Sequence, residues 1–101
     1  MFLLRSQRYR PVMPPDGRLV TVPFDTRVYA SPSGERCRLV VALVKGPWPE
    51  PWWAVKLLND EGMSPVTGVP AIVHVQSREL ARGIYRERLM ALRGIGWRRI
   101  A

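Results

Sequence analysis

Hydrophobic and polar positions alternate with a period of two over most of the first three quarters of the chain, which is typical of β-strands. The strongest segment covers residues 36–45, where Cys37, Leu39, Val41 and Leu43 line one face. The other face of the same segment is also apolar, with Val40, Ala42 and Val44. A strand that is apolar on both faces is normally covered on both sides, so this segment predicts a central strand.

Shorter apolar segments predict further strands on either side of this one. They cover residues 18–24, 26–30, 52–58 and 69–75. Turn-forming residues at 31–34 and 59–62 separate neighbouring segments. Pro23 has no backbone N–H to donate, so its end of the first segment is predicted to lie at a sheet edge or a bulge. Together these segments predict a β-meander over residues 18–76.

From Arg78 to Arg93 the apolar positions recur on one side at about 100° per residue, which predicts an amphipathic helix. Ser77 is a suitable N-cap, and Gly94 stands where a glycine commonly ends a helix. Gly83 inside the helix costs about 1 kcal/mol relative to alanine, so tertiary packing must hold the helix. The sequence therefore predicts a helix over residues 77–94, followed by a tail over 95–101.

The 101 residues predict a single α+β domain, a small antiparallel β-sheet or partly closed barrel of about five strands with one C-terminal helix. One helix covers only one face of a sheet, so the second apolar face of segment 36–45 needs another cover. Partial closure of the sheet, a long loop or a partner subunit would supply it, and partial closure is the favoured hypothesis. The proline-rich residues 1–17 predict an arm or loop.

The chain is strongly basic, because it has sixteen Lys and Arg residues and only eight Asp and Glu residues, for a net charge of +8. Fourteen of the sixteen cations are arginine. The planar guanidinium group binds phosphate or carboxylate through two parallel hydrogen bonds and stacks on flat rings. A GC-rich genome or a heat-adapted source would enrich the same residues, so a functional and a lineage interpretation both stay open.

The cations concentrate at both ends of the chain, with net charges of +4 over residues 1–38 and +5 over residues 76–101, and four of them form a row on the predicted helix. Arg78, Arg82, Arg86 and Arg93 follow one another at spacings of four, four and seven. Like charges four residues apart destabilise an isolated helix by a few tenths of a kcal/mol per pair, and acidic residues usually separate them. One hypothesis is a row of phosphate-binding side chains; the alternative is a solvated face that is partly neutralised by carboxylates elsewhere in the fold.

The leading functional hypothesis is a small non-enzymatic domain that binds nucleic acid. Phosphate contacts are predicted for Arg78, Arg82, Arg86, Arg98 and Arg99. Stacking surfaces are predicted at Trp48, between two prolines, and at Trp97, which precedes two arginines. Arg5, Arg8 and Arg10 would extend this surface. RNA or single strands are favoured over a specific duplex, because no recognition-helix motif is present.

Several other classes of site and location are disfavoured. Cys37 is the only cysteine, so neither an intramolecular disulfide nor a cysteine-based zinc site is expected. The longest apolar run, residues 39–44, is far shorter than the roughly 20 residues of a membrane-spanning helix. The N-terminal apolar stretch is too short for a secretory signal. The sequence therefore predicts a cytoplasmic protein with no membrane contact, no metal and no cofactor.

Enzymatic sites are difficult to assemble from these residues. His74 is the only histidine and stands in an apolar segment, where a structural imidazole is favoured. Ser64 or Ser77 would have to approach it in space, and no nucleophile elbow is present. A small-barrel nuclease that uses arginine and hydroxyl groups stays open as a fold-level analogy.

The alternative function is a protein-interaction or assembly subunit. It would use the Trp-Pro loop at residues 46–51 and the arginine-rich surface, with an acidic protein or a second copy of the chain as partner. Salt separates the two hypotheses. Phosphate binding through several arginines weakens steeply with salt, whereas an apolar interface does not.

Overall fold

The doubly apolar segment is the central strand of the fold, as the sequence predicts. The structure, a computed structural model, describes residues 19–101 and contains one five-stranded antiparallel sheet and one helix. The elements are β1 (Val20–Ala30), β2 (Arg36–Lys45), β3 (Trp52–Asn59), β4 (Ile72–Val75), α1 (Arg78–Gly94) and β5 (Arg98–Arg99). The strand order is β4-β3-β2-β1-β5. The predicted arm at residues 1–17, with Arg5, Arg8 and Arg10, lies outside the described residues.

Strand β2 is buried from both sides. Cys37 and Leu39, 2% and 0% exposed, face α1. Ala42 and Val44 point to the opposite face and are equally buried. Burial in an apolar environment raises the pKa of Cys37 to about 11, because the thiolate would lose its hydration there. The thiol therefore packs as a small hydrophobic group.

Residues 18–24 and 26–30, predicted as two strands, belong to a single strand, β1, interrupted by a bulge. Pro23 pairs with Ala42 and Asp25 pairs with Val41, so Phe24 is an extra residue with no partner on β2. Proline has no N–H for the ladder, which makes a register shift at this point inexpensive. The prediction of an edge or bulge at Pro23 is confirmed.

The fifth strand comes from the segment predicted as a tail. Arg98 and Arg99 of β5 pair with Ala30 and Tyr29 at the end of β1. At the other edge β4 begins at Ile72, three residues later than predicted. Within residues 19–101 the edge strands β4 and β5 do not pair with each other, so the sheet is open. Five strands and a C-terminal helix are confirmed, whereas the favoured partial closure is wrong.

Helix α1 packs against one face of the sheet and forms the main core. Its N-cap is Ser77, as predicted, whose Oγ accepts a hydrogen bond from the Leu80 N–H at 3.1 Å. Ala81 and Leu92 are fully buried against the sheet. The strands supply the rest of this core, chiefly Tyr29, Leu39, Val55, Leu57 and Val75. No helix within residues 19–101 has the length and apolar character needed to cross a membrane.

The C-terminus of α1 is set by Gly96 rather than by the predicted Gly94. Gly96 has a φ of +88°, a conformation that other residues adopt at a cost. Its N–H donates to the Arg93 carbonyl at 3.1 Å, and the Trp97 N–H donates to the Leu92 carbonyl at 3.0 Å. This is the Schellman arrangement, and it turns the chain back so that Trp97 packs in the core beside Leu92.

The second face of the sheet is covered at one end by a loop. Val44, Trp52 and Ala54 form a small buried cluster, and Leu19 and Trp48 pack against it. The ring of Trp48 lies over Gly46, where any Cβ would collide with it. A loop was one of the three covers considered for this face, and the Trp-Pro loop supplies it at this end.

Two glycine substitutions are expected to change stability in opposite directions. Gly96→Ala forces a side chain into a left-handed conformation, so the free energy of unfolding should fall by about 1–2 kcal/mol. Gly83→Ala adds a Cβ in open space within α1 and should raise it by up to about 1 kcal/mol. Urea denaturation of both variants measures the difference, and equal effects would contradict the assigned helix end.

Candidate functional site

A groove lies between the first turns of α1 and the bulged part of β1. Its volume is about 500 Å³. We call it the arginine–aromatic groove, because four arginines and three aromatic residues line it together with one carboxylate. These residues are Arg27, Arg78, Arg82, Arg86, Phe24, Trp53, Tyr85 and Asp25. Three of the seven residues predicted as nucleic-acid contacts therefore lie in one cavity.

The helix supplies one wall of the groove. Arg78, Arg82 and Arg86 are four residues apart, so each is displaced from the last by about 6 Å along the axis and about 40° around it. All three side chains are exposed. In the described part of the chain, no carboxylate oxygen lies within 4.0 Å of their guanidinium nitrogens. Their positive charges therefore face the solvent without an internal ion pair.

The bulge supplies an aromatic wall. Phe24, the extra residue of β1, is 59% exposed. Its ring centroid lies 5.0 Å from that of Trp53, with the planes tilted by 48°. Trp53 pairs with Leu43 and points toward the helix side of the sheet, where it packs against the main core. A half-buried tryptophan thus holds an exposed phenylalanine ring at the edge of the groove.

Asp25, Arg27 and Tyr85 form the floor and join β1 to α1. The Tyr85 hydroxyl donates to Asp25 Oδ2 at 3.0 Å, and Arg27 Nε lies 3.3 Å from the same oxygen. The Arg27 guanidinium carbon also lies 5.4 Å from the centroid of the Tyr85 ring, within the range of a cation–π contact. Burial, and secondly the hydrogen bond to Asp25, raise the pKa of Tyr85 above its usual range.

Two predicted contacts, Arg98 and Arg99, lie away from the groove on β5. Arg98 is near Arg93 at the C-terminal end of α1, where they line a separate cavity beside Pro32 and Trp97. The axial distance from Arg82 to Arg93 is about 16 Å at 1.5 Å per residue. Arg99 donates from Nε to the carbonyl oxygen of Ala101 at 3.1 Å. Both side chains are exposed but form a second basic surface.

The two predicted stacking residues also lie elsewhere. Trp97 is only 6% exposed because the turn at Gly96 directs its ring into the core, so its assignment as a stacking surface is corrected. Trp48 is half-buried on the other face of the sheet. Its ring meets that of Trp52 edge-on at 6.4 Å between centroids. Neither ring belongs to the arginine–aromatic groove.

The sequence pattern does not reveal the residues that complete the groove. Phe24, Trp53 and Tyr85 are an unpaired bulge residue, a strand residue and a helix residue, and they are distant in the chain. Asp25, the one carboxylate that lines the groove, pairs with Arg27 on its own strand rather than with a helical arginine. The Pro23 bulge signal pointed to an irregularity at this position, without indicating what would face it.

The serines considered for nucleophilic chemistry have structural tasks. Ser64 Oγ donates to the Val66 carbonyl at 3.1 Å, and Ser77 caps α1. Across residues 19–101, no three His, Cys, Asp or Glu side chains are placed to hold a metal ion together. The groove itself offers cations, flat rings and one acceptor, which is chemistry for binding an anion attached to a ring.

Tyr85→Phe is expected to lower the free energy of unfolding by about 1–2 kcal/mol at neutral pH, because the hydrogen bond to Asp25 is lost. The pKa of Tyr85 is raised in the folded state from an ordinary value of 10.0. Its contribution is therefore complete below that pH and is lost as the pH rises above it. Urea denaturation at neutral and alkaline pH should show the difference between wild type and variant narrowing above about pH 10; a constant difference would contradict this.

Comparisons of the chain with protein-family models, with curated proteins and with solved structures found no match. The chemistry of the arginine–aromatic groove is therefore the basis for the function proposed below.

Proposed function

We propose that the protein binds single-stranded nucleic acid, RNA foremost, in the arginine–aromatic groove and that it acts without catalysis. Phosphates lie along Arg78, Arg82 and Arg86, and a base stacks on Phe24. The observation that carries the proposal is that three exposed helical arginines, which make no ion pair within residues 19–101, share a groove with an exposed aromatic ring.

The spacing of the arginines suits a phosphate chain. Steps of about 6 Å along α1 are comparable with the distance between neighbouring phosphates of an extended single strand. Guanidinium groups bind phosphate oxygens through two parallel hydrogen bonds, and the release of counterions adds to affinity. These contacts position a strand without reading its sequence.

The aromatic wall favours unpaired bases. Stacking on an exposed ring requires a free base face, which a duplex offers only at its ends. The sequence of α1 contains no recognition-helix motif of the kind that reads bases in a major groove. Arg98 and Arg99 serve a longer strand as a secondary, sequence-independent basic surface, since their side chains are also exposed.

A double charge reversal, Arg82→Glu with Arg86→Glu, tests the phosphate contacts. Three contacts predict that log affinity for a labelled oligouridine falls with log salt at a slope of roughly −2, at about 0.7 per phosphate. The variant should bind weakly even at low salt, and its log affinity should fall with log salt at a slope no steeper than about −0.7, because one phosphate contact remains. Fluorescence anisotropy over a salt series measures both quantities.

The matched control is Arg36→Glu with Arg38→Glu, which makes the same change of net charge. Both arginines are exposed on β2, and their side chains point to the face opposite α1. The control should lose little affinity apart from long-range attraction. Equal losses of affinity in the two double variants would show that binding depends only on the net charge of the protein. That result would contradict a site in the groove.

Phe24→Ala tests the stacking contact. We expect affinity for the same oligonucleotide to fall by about 1–3 kcal/mol, the usual contribution of one stacked base, with the salt slope unchanged. Ile72→Ala is the control, because Ile72 is 45% exposed at the far edge of the sheet. An unchanged affinity in Phe24→Ala would contradict the stacking of a base on Phe24.

The second candidate function, an assembly subunit, rests on the Trp-Pro loop. Trp48 covers only one end of the second sheet face, and with Trp52 it lines a shallow cavity beside Pro49 and Pro51. Aromatic residues in such positions often anchor protein partners. A protein complex that persists at high salt and in which the fluorescence of Trp48 is quenched would favour this function over nucleic-acid binding.

A further inference from the structure

Asp25 stands out within the arginine–aromatic groove, because it is the one carboxylate among the residues that line it, beside four arginines. A phosphate is repelled by a carboxylate at close range, so the phosphate chain has to run along the helical wall. A ligand group that lies beside Asp25 must instead donate hydrogen bonds. A base attached to that phosphate chain has such donors on its edge.

The hydrogen-bonding state of Asp25 defines what it offers. Its Oδ2 already accepts from the Tyr85 hydroxyl and lies 3.3 Å from Arg27 Nε. No hydrogen bond to Oδ1 is present within residues 19–101, and the side chain is 45% exposed. Oδ1 is therefore open to a ligand, and Oδ2, which accepts one hydrogen bond from Tyr85, retains a second acceptor position, so the carboxylate can take a bidentate contact.

The neighbouring residue determines how a base would arrive. Phe24 precedes Asp25 directly, and both side chains contact residues on the helix side of the sheet, Trp53 and Tyr85 respectively. A base stacked on Phe24 would therefore lie beside Asp25, with room to direct an edge toward it. In a single strand this edge is the free Watson–Crick edge, which proteins read by hydrogen bonds.

The bases differ in what they offer to a carboxylate. Guanine has two adjacent donors, N1–H and the N2 amino group, followed by the O6 acceptor. In cytosine and adenine a single amino group stands beside an acceptor nitrogen, and in uracil one N–H lies between two carbonyl oxygens. Acceptors facing Asp25 are repelled, so guanine fits best. Arg27 lines the same groove, and its guanidinium group has several N–H donors of the kind that O6 accepts from.

We propose that the groove prefers an unpaired guanine, which stacks on Phe24 and donates from N1–H and N2–H to Asp25. This preference rests on the proposed binding of single-stranded nucleic acid and adds base selectivity to it. Asp25 is thus a specificity residue, and the helical arginines supply sequence-independent affinity.

The experiment uses labelled oligouridines that carry one central guanosine, inosine, adenosine, cytidine or uridine, titrated against the full chain at low salt. The guanosine probe should bind roughly tenfold more tightly than the all-uridine probe, the discrimination of one good bidentate contact. Inosine has N1–H and O6 but no N2 amino group, so it should lose most of that preference. This arm needs no variant.

Asp25→Asn tests the residue itself. The amide oxygen can still accept from Tyr85, while the second position becomes an NH₂ donor, which faces the guanine donors unfavourably. The variant should bind the guanosine and uridine probes equally. Asp60→Asn, which removes the same charge in the exposed turn after β3, is the matched control and should keep the guanosine preference.

Each outcome decides between the two proposals. Equal affinity of the wild type for all probes, together with weaker binding by Arg82→Glu with Arg86→Glu, overturns the guanine preference and leaves strand binding intact. Absence of binding to any probe overturns both proposals. A guanosine preference that persists in a folded Asp25→Asn variant overturns the role of Asp25. If circular dichroism shows that variant unfolded, the inosine probe decides: inosine binding as tightly as guanosine overturns the contact.

Discussion

The groove depends on the register shift between Pro23 and Asp25 in β1. In an unbroken strand, neighbouring side chains alternate between the two faces of a sheet, so Phe24 and Asp25 would point in opposite directions. The extra residue at the bulge lets both reach the helix side, where Phe24 meets Trp53 and Asp25 meets Tyr85. Proline promotes this break, because it has no N–H to lose from the ladder. The same break thus leaves Phe24 exposed and brings Asp25 into contact with Tyr85 of the helix.

Electrostatics and packing oppose each other along α1, and packing prevails. Arginines four residues apart destabilise the helix by a few tenths of a kcal/mol per pair. Burial of an aliphatic side chain such as Leu92 contributes several times more, about 1.5–3 kcal/mol. Asp25, the one carboxylate that lines the groove, already contacts Arg27 and Tyr85 and does not pair with the helical arginines. The fold can therefore carry a row of like charges that no carboxylate among residues 19–101 neutralises, and an external polyanion would relieve the repulsion.

The sequence predicts what depends on local pattern and fails where distant residues decide. The alternation in residues 36–45, the N-cap at Ser77 and the bulge at Pro23 are local signals, and each is confirmed. The pairing of β5 with β1 joins segments that are far apart in the chain, so periodicity could not reveal it. The same holds for the Tyr85–Asp25 contact, between residues 60 positions apart. The sequence pattern predicts the helix end at Gly94, whereas the turn forms at Gly96, which buries Trp97 and removes it from the surface.

The arrangement of charges in the groove implies an order of events for the proposed ligand. The helical arginines are exposed and act at a distance, so under this proposal they would govern how often a strand encounters the site and how strongly salt slows that encounter. Phe24 and Asp25 act only on contact, since stacking and hydrogen bonding have short range. Base identity should therefore change the rate of dissociation rather than that of association. In the proposed function, two interactions of different range would thus have separate roles: the helix would capture a single strand, and the bulged strand would determine how long a given base stays.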